Sequence, residues 1–262
     1  MKVAVYQMDI IPGDIEQNRK KVEKWSDEVT LNQQVDLIVL PEMWTTAYTL
    51  PQLEQLIEED EHSVELFLAE LAKKHNVNII AGSIVVKEEG EFFNRALVYN
   101  RQGENVYHYD KIHLVPMLKE DEYLTGGKKR ANVFELDGHK MAVIICYDLR
   151  FPELARAVAL EGAELLVVVA EWPLAREQHW NTLLKARAIE NQLFVVSSNR
   201  VGTYDGVEFA GQSQIINPWG ELIEYGSIER EETLLAILSL EEVQRIRKEV
   251  PVFSSRVPSL YK

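Results

Sequence analysis

The chain has one cysteine, Cys146, in 262 residues. No internal disulfide can form, and an oxidising compartment would leave that thiol without a partner. Nor is there a run approaching the roughly 18 apolar residues that a membrane span requires. Met1 leads directly into MKVAVYQMDI, without the basic region, apolar stretch and cleavage site of an export signal. A cytoplasmic protein with no membrane partner is the expectation. Metal-ligand patterns are missing too: there is no CxxC, no HExxH, and the six histidines lack ligand spacing. Neither GxGxxG nor GxxxxGK followed by Ser or Thr occurs, so nucleotide binding has no support. Neither metal nor organic cofactor is expected.

Positive charge is also in short supply. The 28 Lys and Arg face 42 Asp and Glu, a formal charge of -14, which repels phosphate backbones and argues against nucleic acid. The same field disfavours small anions at long range, so an anionic substrate would need a local cation inside its pocket. What remains, with 46% hydrophobic residues, is an ordinary globular chain able to bury a large core.

Strand and helix signals alternate along it. KVAVY reads as a first strand, and Ile15, Val22, Trp25 and Val29 then fall on one helical face. VDLIVL and ELLVVVA are short apolar runs of the kind buried on both faces of a sheet. SVELFLAELAKKHN is amphipathic, and VNIIAGSIVV, FFNRALVYN and ENVYHYD are joined by turn-like EEG and NRQG. Asp137-Gly138 marks a hairpin before MAVII, Pro152 suits the first turn of a helix, and a longer helix runs from about Arg176 to Asn191. A strand pair surrounds NPWG, and Ser239-Leu240-Glu241-Glu242 reads as a capping box opening the final helix. Residues 111 to 131 look irregular. With no repeat, low-complexity stretch or linker, residues 1–262 read as one α/β domain ending in an extended arm, PVFSSRVPSLYK.

Three chemically complementary residues stand at strand ends, where ligand sites of α/β proteins gather. Cys146 follows MAVII and opens CYDLRFPE, a placement beside helix-terminal amides that would stabilise a thiolate and supply donors for an oxyanion. Glu42 follows VDLIVL in LPEMW, desolvated between Pro41 and Met43-Trp44 as general acid-base work requires. Lys111 ends ENVYHYD in YDKIHL. Each has an unremarkable alternative, since free cysteines are commonly inert core residues and charged side chains are mostly solvated. His108 and His113 could in principle pair with the cysteine, but neither is specially placed against it.

Taken together and in order, LPEMW, YDKIHL and CYDLRFPE resemble the signature of the nitrilase-like carbon-nitrogen hydrolase superfamily. The similarity extends from KVAVYQMD through HWNTLLKARAIENQLFVVSSNRVG and AGQSQIINPWGE, essentially the whole chain. It implies a four-layer α-β-β-α sandwich, typically a homodimer through helices near the nucleophile and the C-terminal arm. It also implies a Glu-Lys-Cys triad of Glu42, Lys111 and Cys146, with a second glutamate at Glu120 in MLKEDEYLTGG that orients Lys111 or the substrate amide. In such an enzyme Glu42 takes the proton of Cys146, the thiolate attacks an amide carbonyl, and Lys111 with the Tyr147 backbone N–H holds the oxyanion.

Within the superfamily the chain is similar to the omega-amidase branch, in particular bacterial 2-oxoglutaramate amidases of methionine salvage, through YDKIHLVPMLKEDEYLTGG and AEWPLAREQHWNTLLKARAIENQ. Their substrates are short dicarboxylic acids amidated at one end. The far carboxylate needs a cation, for which Arg150 and Arg176 are candidates, and Trp172 and His179 would line the pocket, with core packing the alternative for Trp172. Rival expectations are another amide, an N-carbamoyl compound or a nitrile as substrate, or a non-catalytic scaffold retaining the fold. A thiol redox sensor is disfavoured by the lack of a resolving cysteine.

Overall fold

The computed structural model describes residues 1–31, 33–58 and 61–261. In chain order the elements are β1 (Lys2–Gln7), α1 (Ile15–Leu31), β2 (Leu37–Val39), α2 (Leu53–Glu58), α3 (Glu61–His75), β3 (Asn78–Glu88), β4 (Glu91–Tyr99), β5 (Asn105–Asp110), α4 (Glu120–Tyr123), β6 (Phe134–Leu136) and β7 (His139–Ile145). They continue as α5 (Pro152–Leu160), β8 (Leu165–Ala170), α6 (Glu177–Asn191), β9 (Phe194–Asn199), β10 (Thr203–Tyr204), β11 (Val207–Glu208), β12 (Gln214–Ile216), β13 (Leu222–Tyr225), β14 (Glu232–Ile237) and α7 (Glu242–Glu249). Two six-stranded sheets result, in the orders β14-β1-β2-β3-β4-β5 and β13-β12-β9-β8-β7-β6.

Alternation along β1 shows how the layers form. Val3 and Val5, with Leu37 and Val39 of β2, enter a core shared with Val143 and Val167 of the second sheet. Ala4 and Tyr6 point the other way, against Val22, Trp25 and Val29 of α1 and Leu68 and Leu71 of α3, where the Tyr6 and Trp25 rings stack with centroids 4.5 Å apart. A slip of one residue would exchange these faces, so burial of both fixes the register. On the far side Leu154 and Val158 of α5 and Leu184 and Ala188 of α6 cover the second sheet. The order is therefore helices, sheet, sheet, helices: the four-layer sandwich implied by the resemblance. β2 and β8 are buried along their whole length, as their uninterrupted apolar runs require.

The hairpin at Asp137-Gly138 forms, with Leu136 opposite His139 and positive φ at both turn residues (50° and 79°), the geometry that Asp-Gly supplies at little steric cost. The capping box does not. α7 begins at Glu242 and has no side-chain cap; the carbonyl of Ser239 instead accepts from the Glu242 N–H at 2.9 Å. Leu240 and Val243 are both drawn into the core, and the turn that seats them delays the helix by three residues beyond the serine. Residues 251–261 hold turns, including a Ser255 N–H to Pro251 carbonyl bond and a short 3-10 stretch, Pro258–Leu260, and expose Val257, Leu260 and Tyr261. No helix among the described residues is long and apolar enough to cross a membrane.

Candidate active site

Three strands of two sheets, β2 and β5 of the first and β7 of the second, end around one point and deliver the three sequence-selected residues to it. β2 stops at Pro41, whose ring cannot continue the ladder. Its carbonyl then packs onto Gly82 of β3, where an added Cβ would lie 1.8 Å from the Pro41 oxygen. Only glycine admits this approach, and it sets Glu42 facing inward. Lys111, just past β5, is pinned by its own N–H to the Asn94 carbonyl (2.9 Å) and by its carbonyl to the Gly127 N–H (2.9 Å). Cys146 ends β7 in the left-handed region, φ 47°, a conformation a non-glycine residue holds only under constraint.

The constraint is Asp148. This fully buried carboxylate accepts from the Ile145 N–H (3.1 Å), the Tyr109 hydroxyl (2.8 Å) and the His113 backbone N–H (3.3 Å), and its Oδ1 lies 2.7 Å from His113 Nδ1. The elbow around the cysteine is thus clamped from both sides. His113, stacked on Phe151 with centroids 3.6 Å apart, belongs to that clamp, and His108 is exposed on β5; neither pairs with the thiol.

Glu42, Lys111 and Glu120 are fully buried, and Cys146 is 4% exposed. Lys111 Nζ donates to Glu42 Oε1 (2.9 Å), Glu120 Oε1 (2.7 Å) and the Tyr48 hydroxyl (3.1 Å), which uses all three ammonium hydrogens. The Tyr48 hydroxyl lies within donating distance of both carboxylates, at 2.9 Å from Glu42 and 2.6 Å from Glu120. Glu42 Oε1 also accepts from Asn94 Nδ2 (2.8 Å) and Oε2 from the Glu171 N–H (2.8 Å), and its negative charge bears on the nearby Cys146 thiol. Glu120 is anchored in turn by the Val115 N–H on Oε2 (2.5 Å).

The electrostatics follow from burial. Desolvation alone would push the Lys111 ammonium down, but the Glu120 and Glu42 carboxylates overturn it and hold the pKa above the ordinary lysine range. Burial raises Glu120, with Lys111 opposing, and it keeps Tyr48 neutral. It also pushes the Cys146 thiol well up, with Glu42 adding to the rise and Lys111 pulling against it. The expectation of a thiolate stabilised by helix-terminal amides is therefore corrected. The residue opens a five-residue 3-10 turn, Cys146–Arg150, and α5 starts only at Pro152, so no helix N-terminus offsets the desolvation. At rest the nucleophile is a thiol with the Glu42 carboxylate as its neighbour.

Beyond the thiol lies a cavity of about 580 Å³, roomy for a small molecule, lined by Cys146, Tyr147, Arg150, Trp172 and Arg176 among others. The Arg150 guanidinium lies over the Trp172 ring (4.6 Å) and near Tyr147 (5.6 Å), and no carboxylate among the described residues pairs with it. Arg176 also reaches the cavity wall, while its carbonyl accepts from Trp172 Nε1 (2.9 Å), so Trp172 both packs and lines. His179 does not line the cavity; it is exposed on α6 and meets the site only through Arg150, Nδ1 to Nη1 3.2 Å.

Sequence reasoning missed Tyr48, Asn94, Glu171 and Arg200. Asn94 is a polar residue at a buried position of β4, and Glu171 is a carboxylate directly after a buried apolar strand, the signal by which Glu42 was found. Tyr48 and Arg200 had no comparable mark.

Residues 2–248 match the family model described as carbon-nitrogen hydrolase. The chain is 43% identical to a "Hydrolase in agr operon" of Staphylococcus aureus, over all of both chains. It is 41% identical to a 2-oxoglutaramate amidase of Bacillus subtilis, over 99% of this chain and 98% of that one. Among solved structures it is similar to a carbon-nitrogen hydrolase from Helicobacter pylori, with TM-score 0.93 and 25% identity, over 100% of this chain and 96% of that one.

Proposed function

The chain belongs to the carbon-nitrogen hydrolase family, and from that premise we propose that it hydrolyses the terminal carboxamide of a short dicarboxylic acid monoamide, such as 2-oxoglutaramate, through a thioester on Cys146. The observation that carries this reading is one carboxylate, Glu42, hydrogen-bonded to the Lys111 ammonium and acting on the neighbouring Cys146 thiol, which itself lines a cavity shared with Arg150, a cation with no carboxylate partner among the described residues. The similarity to a 2-oxoglutaramate amidase supports the choice of substrate.

The thiol proton passes to Glu42 as Sγ bonds to the amide carbon, and the carbonyl electron pair moves onto oxygen. That oxyanion is met by the Tyr147 N–H and by Lys111, which turns toward it the hydrogen that Tyr48 accepts at rest. Collapse breaks the carbon-nitrogen bond, Glu42 returns the proton to nitrogen, and ammonia leaves. Water then gives a proton to Glu42 and attacks the thioester; the acid departs and the proton returns to sulfur. Glu120 positions Lys111 throughout. Arg150, assisted by Arg176, binds the far carboxylate.

The test is ammonia release from 2-oxoglutaramate, succinamate, N-carbamoyl amino acids and simple nitriles. The monoamides should lead by kcat/KM, and a nitrile or N-carbamoyl compound in first place would refute the substrate class. We also read the protein as a homodimer in the cytoplasm; the dimer reading is supported by apolar Leu160 of α5, Ile189 of α6, and Leu260 and Tyr261 of the arm, all exposed. Light scattering that returned the mass of one chain would contradict it.

A further inference from the structure

β8 delivers to the same cavity a carboxyl group that the steps above do not use. Glu171, the first residue past the strand, is fully buried and lines the cavity together with Cys146 and Trp172. Its Oε2 accepts from Arg200 Nη1 at 2.8 Å. Its Oε1 is buried with no hydrogen-bond partner among the described residues. Buried carboxyl oxygens are nearly always paired, and an unpartnered one on a residue that lines a binding cavity points to a partner that the protein itself does not supply, which a ligand settling against that wall would be.

We propose that Glu171 contacts the substrate, its Oε1 donating a hydrogen bond to an oxygen on the acyl chain beyond the scissile amide. This rests on the amidase reading above and adds to it a residue that selects the acyl group. To donate, the group must be the neutral acid. Burial pushes its pKa up to about 8, outweighing the pull of Arg200, with Glu42 adding to the rise and Lys111 opposing it. The charged and titratable groups that face it are Arg200 after β9, Glu42 after β2, Lys111 after β5, Tyr204 of β10 and, around the same cavity, the Cys146 thiol, Tyr147, Arg150, Arg176 and Glu208 of β11. At neutral pH the acid form predominates, and because Oε2 faces Arg200 the proton belongs on Oε1. Arg200 keeps other support in that state: Nη2 donates to the Ile10 carbonyl (2.8 Å), Nε to the Val201 carbonyl (3.0 Å), and the guanidinium lies 4.4 Å over the Phe209 ring. A neutral donor also suits an anionic monoamide, which a second free carboxylate would repel.

The experiment compares wild type, E171Q and E171L by ammonia release from 2-oxoglutaramate, from glutaramate, which lacks the oxo group, and from pentanamide, which lacks oxo and carboxylate, between about pH 6 and pH 9. With wild type, kcat/KM for 2-oxoglutaramate should fall as pH rises through about 8. E171Q, neutral at every pH and still able to bind Arg200, should abolish that fall and lose less activity than E171L. E171L should lower kcat/KM by about tenfold to a hundredfold on amides that carry the recognised oxygen, and little on pentanamide. Loss confined to 2-oxoglutaramate assigns the contact to the oxo group, and loss shared by glutaramate assigns it to the carboxylate. Equal loss on all three amides, or a wild-type rate that climbs through pH 8 and is destroyed in E171Q, overturns the proposal while leaving the amidase reading intact. If E171L fails to fold, the E171Q profile decides alone. No ammonia from any of the three with wild type sinks the amidase reading and this proposal together.

Discussion

Replacing Lys111 by methionine, K111M, keeps most of the side chain's bulk and removes only the charge that joins Glu42 to Glu120. The consequence can be worked from the geometry. Two fully buried carboxylates lose the single ammonium that donates to each at 2.9 and 2.7 Å, and the Tyr48 hydroxyl loses a donor. Removing one partner of a buried pair typically costs about 3–5 kcal/mol. Set against a domain stability of about 5–15 kcal/mol, this is a large fraction. Unless the site relaxes, the protein must respond by protonating a carboxyl. Burial already holds Glu120 above its ordinary range, and Lys111 is the main group pulling it down, so in K111M it rises further. A carboxyl whose folded pKa exceeds its unfolded value contributes stability that is present at low pH and lost as pH rises through the folded value. Chemical denaturation at about pH 5 and pH 8 should therefore show K111M much weaker than wild type at the higher pH and partly restored at the lower. K111M/E120Q should recover about 1–3 kcal/mol over K111M at pH 8, because one of the two orphaned charges is gone. Stability of K111M equal to wild type at both pH values would refute the reasoning. Activity should drop by about a thousandfold or more, since the oxyanion donor is lost as well.

Two further outcomes are expected. R150M should raise KM for 2-oxoglutaramate and glutaramate by about tenfold to a hundredfold, the worth of a charged hydrogen bond, while leaving kcat/KM for pentanamide nearly unchanged; an equal loss on pentanamide would show that Arg150 holds the cavity wall and not the carboxylate. G82A places a Cβ 1.8 Å from the Pro41 carbonyl oxygen. Since the obstacle is backbone, melting temperature and amidase activity should fall together, and a G82A protein with wild-type activity would contradict the placement of Glu42.

The fold was legible wherever periodicity was strong. β1, β2 and β8 could be read from VAVY, LIVL and LLVVVA because burial on two faces leaves no polar interruption, and the reactive residue just past a strand end then marked the site: Glu42 after β2, Lys111 after β5, Cys146 after β7. The same rule would have given Glu171. Glu120 was accessible only through the resemblance, because it sits in the four-residue α4 entered from Lys119 in the left-handed region, a segment without periodicity. Tyr48 reaches the triad from a loop and Arg200 from a strand end on the second sheet, contacts that depend on tertiary closure alone. The protonation of Cys146 was misread because adjacent sequence suggests exposed amides, whereas the pKa is set by desolvation, which local sequence does not report.

Everything in the mechanism requires that Cys146 carry the acyl group. Acid-quenched mass spectrometry of the wild-type protein mixed with 2-oxoglutaramate should find the acyl chain on the peptide bearing Cys146, and nothing on the same peptide from C146A. Ammonia released at an undiminished rate by C146A, or an acyl chain carried on any other residue, would contradict it.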